Sequence, residues 1–234
     1  MPVLVVRRLS ERIQDLLLGF AAGVMLAASF FSLIIPGLDV AQQQGFGKLG
    51  AVNLVIAGLL LGAATLWSVH RLVPHEHFVL GREGPCTERV RRIWLFVLAI
   101  TLHNFPEGLA VGVSFGDEAG RGMAVATGIG LQNIPEGLAV AVALIGLHYS
   151  KAQAFGVALL TGLVEPIGGF VGVAAVTVAT SLLPWGLAFA AGAMIFVISD
   201  EIIPETHRRG FEHHGTAGLM VGLVVMMFLD VMLG

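Results

Sequence analysis

The sequence predicts an all-α polytopic membrane protein, and three observations lead to this fold class. Hydrophobic residues make up 56% of the chain and charged residues only 12%, with a mean hydropathy of +0.87, whereas soluble domains are roughly 25% charged. The apolar residues form long runs, each near the about 20 residues that a helix needs to cross a bilayer. The 234 residues have room for seven or eight such spans, so residues 1–234 are predicted to form one transmembrane domain.

Apolar windows place seven spans along the chain. Short polar or glycine-rich segments separate most of them, and the longest connection is a loop at about residues 70–92. The predicted spans are Leu16–Leu38, Leu49–Val69, Ile93–Phe115, Met123–Leu147, Ala152–Thr180, Trp185–Ile203 and Ala217–Leu233.

Lysine and arginine residues set the predicted orientation. With the N-terminus in the cytoplasm, eleven of the thirteen basic residues fall in inner segments, and only Lys48 and Arg121 fall in outer ones. Positive residues accumulate in short cytoplasmic loops. We therefore predict a multi-pass protein of the inner (plasma) membrane with its N-terminus inside and its C-terminus outside.

Charge and cysteine content exclude several classes of function. A net charge of −3, with the positive residues spread over loops, does not form a nucleic-acid face. The single cysteine, Cys86, cannot form an internal disulfide. The loop at 70–92 carries three histidines at irregular spacing, a pattern more typical of a solvated cytoplasmic loop than of a metal-collecting tract.

One stretch in the middle of the third span does not fit a plain membrane helix. Residues 103–108 read His-Asn-Phe-Pro-Glu-Gly. His103 and Glu107 are four residues apart, so a helix presents them on one face with Asn104 beside them. Pro106 has no N–H, which frees the carbonyl one turn earlier. Nitrogen and oxygen ligands are thus predicted to converge where the bilayer is driest.

The fourth span repeats this pattern. Residues 132–142 match residues 103–113 at eight of eleven positions, including Pro-Glu-Gly-Leu-Ala-Val. The offset of 29 residues is one span plus a short turn, so the two copies run antiparallel, and Pro106 and Pro135 fall at similar depth. Paired helices that are interrupted at the midplane are typical of transporter ion sites. We expect both prolines to break their helices and one site to be shared between the two spans.

A third acid, Glu165, lies at the middle of the fifth span and is followed by Pro166. Each acid at a helix centre costs about 2.5–3.5 kcal/mol on insertion scales. No lysine or arginine lies inside any predicted span to pair with Glu107, Glu136 or Glu165. A bound cation is therefore the expected partner.

The ligand types indicate which cation. Carboxylates mixed with imidazole and amide oxygen, without thiolate, suit borderline divalent first-row metals better than Cu(I), and the imidazole argues against a pure calcium or magnesium cage. Zinc, as transported substrate, is the first choice, with cadmium, iron and manganese as other candidates. The expected partners are divalent metal ions and the lipid bilayer, together with a second copy of the chain as a homodimer.

Together these motifs resemble those of a known family. His-Asn-Phe-Pro-Glu-Gly in the third span, Gln-Asn-Ile-Pro-Glu-Gly in the fourth, Glu165-Pro166 in the fifth and the run from Asp200 to His207 are similar to the ZIP (Zrt/Irt-like) divalent metal transporters, in particular the bacterial members. The resemblance extends from about Leu16 to the C-terminus.

The resemblance implies a ZIP-like helical bundle with a binuclear metal site between the third, fourth and fifth spans, in which two glutamates bridge the metals. One metal position would be formed by His103, Glu107, Gln132 and Glu136. The other would be formed by Asn104, Glu107, Asn133, Glu136 and Glu165.

The resemblance also implies a transport pathway. Asp39 at the outer end of the first span would lie near the entrance, and Asp200 and Glu201 at the inner end of the sixth span near the exit, although ordinary helix-end acids are an equal alternative. Metal would enter from outside and leave to the cytoplasm by alternating access. A metal-selective channel would use the same ligands. An intramembrane metal-dependent hydrolase is the third reading, but the His-Glu-x-x-His motif does not occur.

The chain departs from the family pattern in two ways. ZIP proteins usually have eight spans with both termini outside, whereas seven are predicted here with the N-terminus inside. The stub Val3–Val6 before Arg7 is typical of the last turn of a span, so we expect that a first span is missing from this sequence. In addition, Asn133 stands where some relatives have a carboxylate, which should weaken the second metal position.

Overall fold

The structure, a computed structural model, describes residues 10–72, 85–117, 119–207 and 210–233. Seven long helices and no strand occur within these residues, which confirms the all-α fold. The helices are α1 (Glu11–Gln43), α2 (Lys48–Leu72), α3 (Pro85–Asp117), α4 (Ala119–Ile145), α5 (Lys151–Val178), α6 (Leu183–Thr206) and α7 (Glu212–Leu233).

Each helix corresponds to one predicted span. Among the described residues six of the helices are long and apolar enough to cross a membrane, and α3, with 33 residues, exceeds the about 20 residues that a span requires. Helix α2 extends beyond its predicted span to Leu72 and α3 begins before its span at Pro85, whereas α4 and α5 end two residues before the predicted ends of theirs. The stub Val3–Val6, on which the expectation of an earlier span depends, lies outside the described residues.

Polar caps begin two of the helices. The Ser10 hydroxyl accepts a hydrogen bond from the N–H of Ile13 at the start of α1. Ser150 and Gln153 form a reciprocal capping box at the start of α5. Such caps satisfy backbone donors that have no partner inside the helix, and they fix where the chain enters each apolar run.

The prolines behave differently from the prediction in two of three helices. Helices α3 and α4 continue through Pro106 and Pro135, so the expected breaks at these positions are wrong. Membrane helices tolerate proline where neighbouring helices support the freed backbone groups. Helix α5, in contrast, is interrupted at Leu163, between Lys151–Gly162 and Val164–Val178, which confirms the disruption expected beside Glu165.

Two helices contain a π-helical segment that the sequence analysis did not anticipate. The first is Ala28–Ile34 in α1, and the second is Ile198–Ile202 in α6. In a π turn an amide bonds to the carbonyl five residues earlier, so the turn holds one more residue than an α-helical turn.

Glycine contacts join the helices in three close pairs. A Cβ at Gly108 in α3 would overlap the carbonyl oxygen of Glu165 in α5, and a Cβ at Gly192 in α6 would overlap that of Leu59 in α2. Gly19 in α1 meets the backbone of Gly215 in α7 in the same way. Small residues allow such backbone approach in membranes, so α1 and α7, α2 and α6, and α3 and α5 form closely packed pairs.

Candidate metal centre

The two motif glutamates are buried in the interior of the bundle. Glu107 of α3 has 0% of its surface exposed and Glu136 of α4 has 2%. The Nε2 group of Gln132 donates a hydrogen bond of 2.5 Å to Oε1 of Glu107. The antiparallel copies of the motif therefore meet side chain to side chain, as the repeat predicted.

Glu165 approaches this pair from α5. Its backbone lies against Gly108, the residue that follows Glu107, and its Oε2 accepts a hydrogen bond of 2.6 Å from Nδ2 of Asn133. Through the consecutive residues Gln132 and Asn133, α4 is therefore hydrogen-bonded to both Glu107 and Glu165, and Glu136 lies one turn further along α4. Three carboxylates from three helices thus share one polar region.

The side-chain amide nitrogens of the motif donate hydrogen bonds to other groups of the protein. Nδ2 of Asn104 donates a hydrogen bond of 2.7 Å to the carbonyl oxygen of Thr161, just before the break in α5. Gln132 and Asn133 donate to Glu107 and Glu165. Because each amide nitrogen is used in this way, its oxygen is left as an acceptor.

Five buried oxygens of this cluster lack a hydrogen-bond partner among the described residues. They are Oδ1 of Asn104, Oε2 of Glu107, Oε1 of Gln132 and both carboxylate oxygens of Glu136. A buried acceptor without a partner costs about 1–3 kcal/mol and more when it is charged. These atoms are all acceptors, which is the arrangement that a bound cation satisfies.

The remaining member of the predicted site is His103, one turn before Glu107 on α3. Its side chain lies outside the described residues. Among the side chains that are described, no three His, Cys, Asp or Glu residues are gathered as a metal site by themselves. A metal held here would therefore draw on amide oxygens as well as carboxylates.

Two of the three predicted pathway residues have exposed side chains. Asp39 is exposed near the end of α1, and Asp200 is exposed in the π segment of α6. The side chain of Glu201 lies outside the described residues. Their roles stay predictions.

Three polar positions were missed by the sequence analysis. Ser32, fully buried in the π segment of α1, donates a hydrogen bond of 2.5 Å to Oδ1 of Asp230 in α7. Asp15, with 0% exposure, lies inside α1, although the predicted span began one residue later. Asp230 is itself an acid within a predicted span, so the criterion that selected Glu165 would also have found it.

A polytopic helical bundle with carboxylates and amides converging in its interior is typical of membrane ion transporters. Comparison with known proteins makes the class specific, because residues 70–230 match the family model described as "ZIP Zinc transporter". The chain is 50% identical over its whole length to the zinc transporter GufA of Myxococcus xanthus, covering 92% of that protein.

Two further relatives extend the similarity. Over 97% of this chain the identity to the zinc transporter ZIPB of Bordetella bronchiseptica is 49%, covering 74% of that protein. The zinc transporter ZIP11 of Bos taurus is 36% identical over 96% of the chain, which covers 89% of that relative. The chain therefore belongs to the ZIP family, a family of transporters and not of enzymes.

Proposed function

We propose that this protein carries divalent metal ions, zinc first among them, across the membrane into the cytoplasm through a binuclear site between α3, α4 and α5. The observation that carries the proposal is the set of buried oxygens on Asn104, Glu107, Gln132 and Glu136 that have no hydrogen-bond partner among the described residues. The names of the relatives support zinc as the substrate. Carboxylate, amide and imidazole ligands also suit cadmium, iron and manganese.

The two metal positions follow the two halves of the motif. His103, Glu107, Gln132 and Glu136 form one position in this proposal. Asn104, Glu107, Asn133, Glu136 and Glu165 form the other. Both depend on Glu107 and Glu136, whose side chains are 0% and 2% exposed. Two bridging carboxylates suit a pair of metals roughly 3.5–4 Å apart.

We infer alternating access, in which the metal-bearing helices move against the rest of the bundle. The close backbone contact at Gly108 joins α3 to α5, and that at Gly19 joins α1 to α7. In contrast, α4 meets α7 through a flexible side chain, because the sulfur of Met226 fills the space beside Gly128. Closely packed pairs favour motion as units, and a side-chain contact is easier to exchange than a backbone contact.

The proposed direction of transport depends on the distribution of basic residues, which places the N-terminus of this chain in the cytoplasm and the C-terminus outside. The ring of Phe211, just before α7, lies 5.1 Å from the guanidinium of Arg12 in α1. The start of α1 and the segment before α7 therefore share one end of the bundle. The plasma membrane location and the homodimer stay predictions.

Zinc uptake into proteoliposomes tests the proposal. Glu107→Ala and Glu136→Ala should each abolish uptake, since each removes a ligand from both metal positions. Glu212→Ala, at an exposed glutamate in the first turn of α7, is the matched control and should transport normally. Unchanged uptake in both site variants would overturn the site assignment.

Zinc flux in the same vesicles distinguishes a carrier from a channel. A carrier that alternates between two states gives saturable flux with a steep temperature dependence. Flux that rises linearly with zinc concentration and changes little with temperature would instead support a channel.

A further inference from the structure

Helices α1 and α6 contain a similar short sequence motif with a π turn at equivalent positions. Residues 32–36 read Ser-Leu-Ile-Ile-Pro and residues 200–204 read Asp-Glu-Ile-Ile-Pro, with an offset of 168 residues. Each motif overlaps a π segment. The amide of Ile35 bonds to the carbonyl of Phe30, and the amide of Ile203 bonds to the carbonyl of Ile198. These bonds differ by the same offset, so sequence and backbone agree on one repeated unit.

The unit is a weak point in each helix for two reasons. Pro36 and Pro204 have no N–H, so neither residue can donate the hydrogen bond that an α-helical register would require of it. The π turn also holds one residue more than an α-helical turn. A switch from π to α register therefore rotates the helix beyond the turn by about 100°, the angle of one residue.

The two π turns lie on opposite sides of the middle of the bundle. The contact between Arg12 and Phe211 places the start of α1 and the end of α6 at one end. Both π turns are in the second half of their helices, and the helices run antiparallel. The turn in α6 is therefore near the Arg12 end, and the turn in α1 is near the Asp39 end.

A side-chain hydrogen bond to α7 holds the first turn in its present register, and local side-chain hydrogen bonds close the segment that follows the second turn. Ser32 in the first turn is bonded to Asp230 of α7. After the second turn, the Thr206 hydroxyl donates a 2.8 Å hydrogen bond to the carbonyl oxygen of Ile203, and Nδ1 of His207 lies 2.9 Å from the same oxygen. The glycine contacts at Gly19 and Gly192 precede the π turns in their helices, so a change of register after the turns leaves these contacts in place.

We propose that these two π turns are paired hinges, each controlling access to the metal centre from its own end of the bundle. The inference rests on the proposed alternating access and adds the segments that perform it. Each π turn holds one residue more than an α-helical turn, and deletion of one residue from the turn should leave that helix in α register. Phe31 and Ser199 occupy equivalent positions in the repeat, so their single deletions form a matched pair.

Thiol labelling measures access from each side. The reporter is Asn133→Cys, a half-buried position of the centre, in a Cys86→Ser background, and a membrane-impermeant maleimide is added to either face of oriented vesicles. Deleting Phe31 should lower the ratio of labelling from the Asp39 side to labelling from the Arg12 side by about tenfold, because one of two exchanging states is lost. Deleting Ser199 should raise that ratio. Ratios that stay unchanged or move in the same direction would overturn the proposal.

Proline-to-alanine variants provide a second test for the case in which a deletion prevents folding. Misfolding would appear as loss of the thermal unfolding transition. In that case the labelling ratios of Pro36→Ala and Pro204→Ala replace those of the deletions. Each substitution restores an N–H at one hinge and should shift the ratio in the direction of the matching deletion. Pro184→Ala is the control, because Pro184 lies in the first turn of α6, where the missing N–H has no helical partner. The maleimide needs no bound metal, so this readout is independent of zinc uptake by the Glu107 and Glu136 variants.

Discussion

Gln132 of α4 reaches across to α3 and donates a 2.5 Å hydrogen bond to Oε1 of Glu107, while its own Oε1 has no hydrogen-bond partner in the part of the chain that the structure describes. In the repeat Gln132 occupies the position of His103. One half of the motif therefore orients the carboxylate of the other half. The same side chain also presents an oxygen to the centre.

Gln132→Ala should reduce zinc affinity about tenfold, within the range of 10- to 100-fold for groups that orient metal ligands. The variant removes one oxygen of the centre and the donor that holds Glu107. Isothermal titration in detergent measures the affinity directly. Gln43→Ala, at an exposed position near the end of α1, should bind as the unaltered protein does, and equal affinity for both variants would contradict the role of Gln132.

Asn133→Asp should strengthen the second metal position and slow release of the metal. The amide now donates to Oε2 of Glu165, and a carboxylate at this position would instead repel Glu165 until a cation binds between them. We expect a larger zinc-induced rise in Tm than in the unaltered protein, together with a lower Tm without metal.

Asn133→Ala distinguishes the effect of the charge added by aspartate from the effect of the lost hydrogen bond. It also removes the bond to Glu165 but adds no charge, so its zinc-induced rise in Tm should be smaller than that of the unaltered protein. If the aspartate and alanine variants respond alike to zinc, charge at position 133 does not control the second metal position.

Much of the fold and centre could be predicted because the controlling signals are local. Hydropathy located all seven helices, and the 29-residue repeat indicated that Glu107 and Gln132 meet. The two proline breaks were predicted wrongly because the effect of Pro106 and Pro135 depends on neighbouring helices that support the backbone.

Features that depend on tertiary contacts were not predictable from one helix at a time. The bond between Ser32 and Asp230 joins residues 198 positions apart, and nothing in either span identifies the other partner. The π turns were missed for a different reason, since hydropathy is insensitive to the insertion of one apolar residue. Their repeated Ile-Ile-Pro motif was visible in the sequence, and a search for repeats at long offset would have found it.

Trp94 and Tyr149 form a contact that should stabilise the Arg12 end of the metal-bearing helices. Trp94 Nε1 donates to the Tyr149 hydroxyl at 3.3 Å, and the rings lie edge to face with centroids 6.2 Å apart. The pair joins α3 to the connection between α4 and α5. A double-mutant cycle of Trp94→Leu and Tyr149→Leu should give a coupling energy of about 0.5–1.5 kcal/mol. Additive effects on stability in detergent would show that the contact contributes nothing.

Gly108→Ala tests whether the approach of α3 to α5 positions the centre. The new Cβ would overlap the backbone carbonyl of Glu165, which cannot rotate away as a side chain can. Overpacking of this kind costs about 1–3 kcal/mol, and relief by separation of the helices would move Glu165 away from Glu107. We therefore expect both a lower Tm and a loss of zinc uptake.

Gly130→Ala is the matched control, because Gly130 lies in α4 two residues before Gln132 and a Cβ there meets nothing within 4 Å. In a helix interior, alanine is favoured over glycine by about 1 kcal/mol, so this variant should be at least as stable as the unaltered protein and should transport zinc. Normal uptake by Gly108→Ala would show that the centre does not depend on this backbone contact. Loss of uptake in both variants would indicate that α4 tolerates no added side chain near the centre, and the effect at Gly108 could not then be assigned to Glu165.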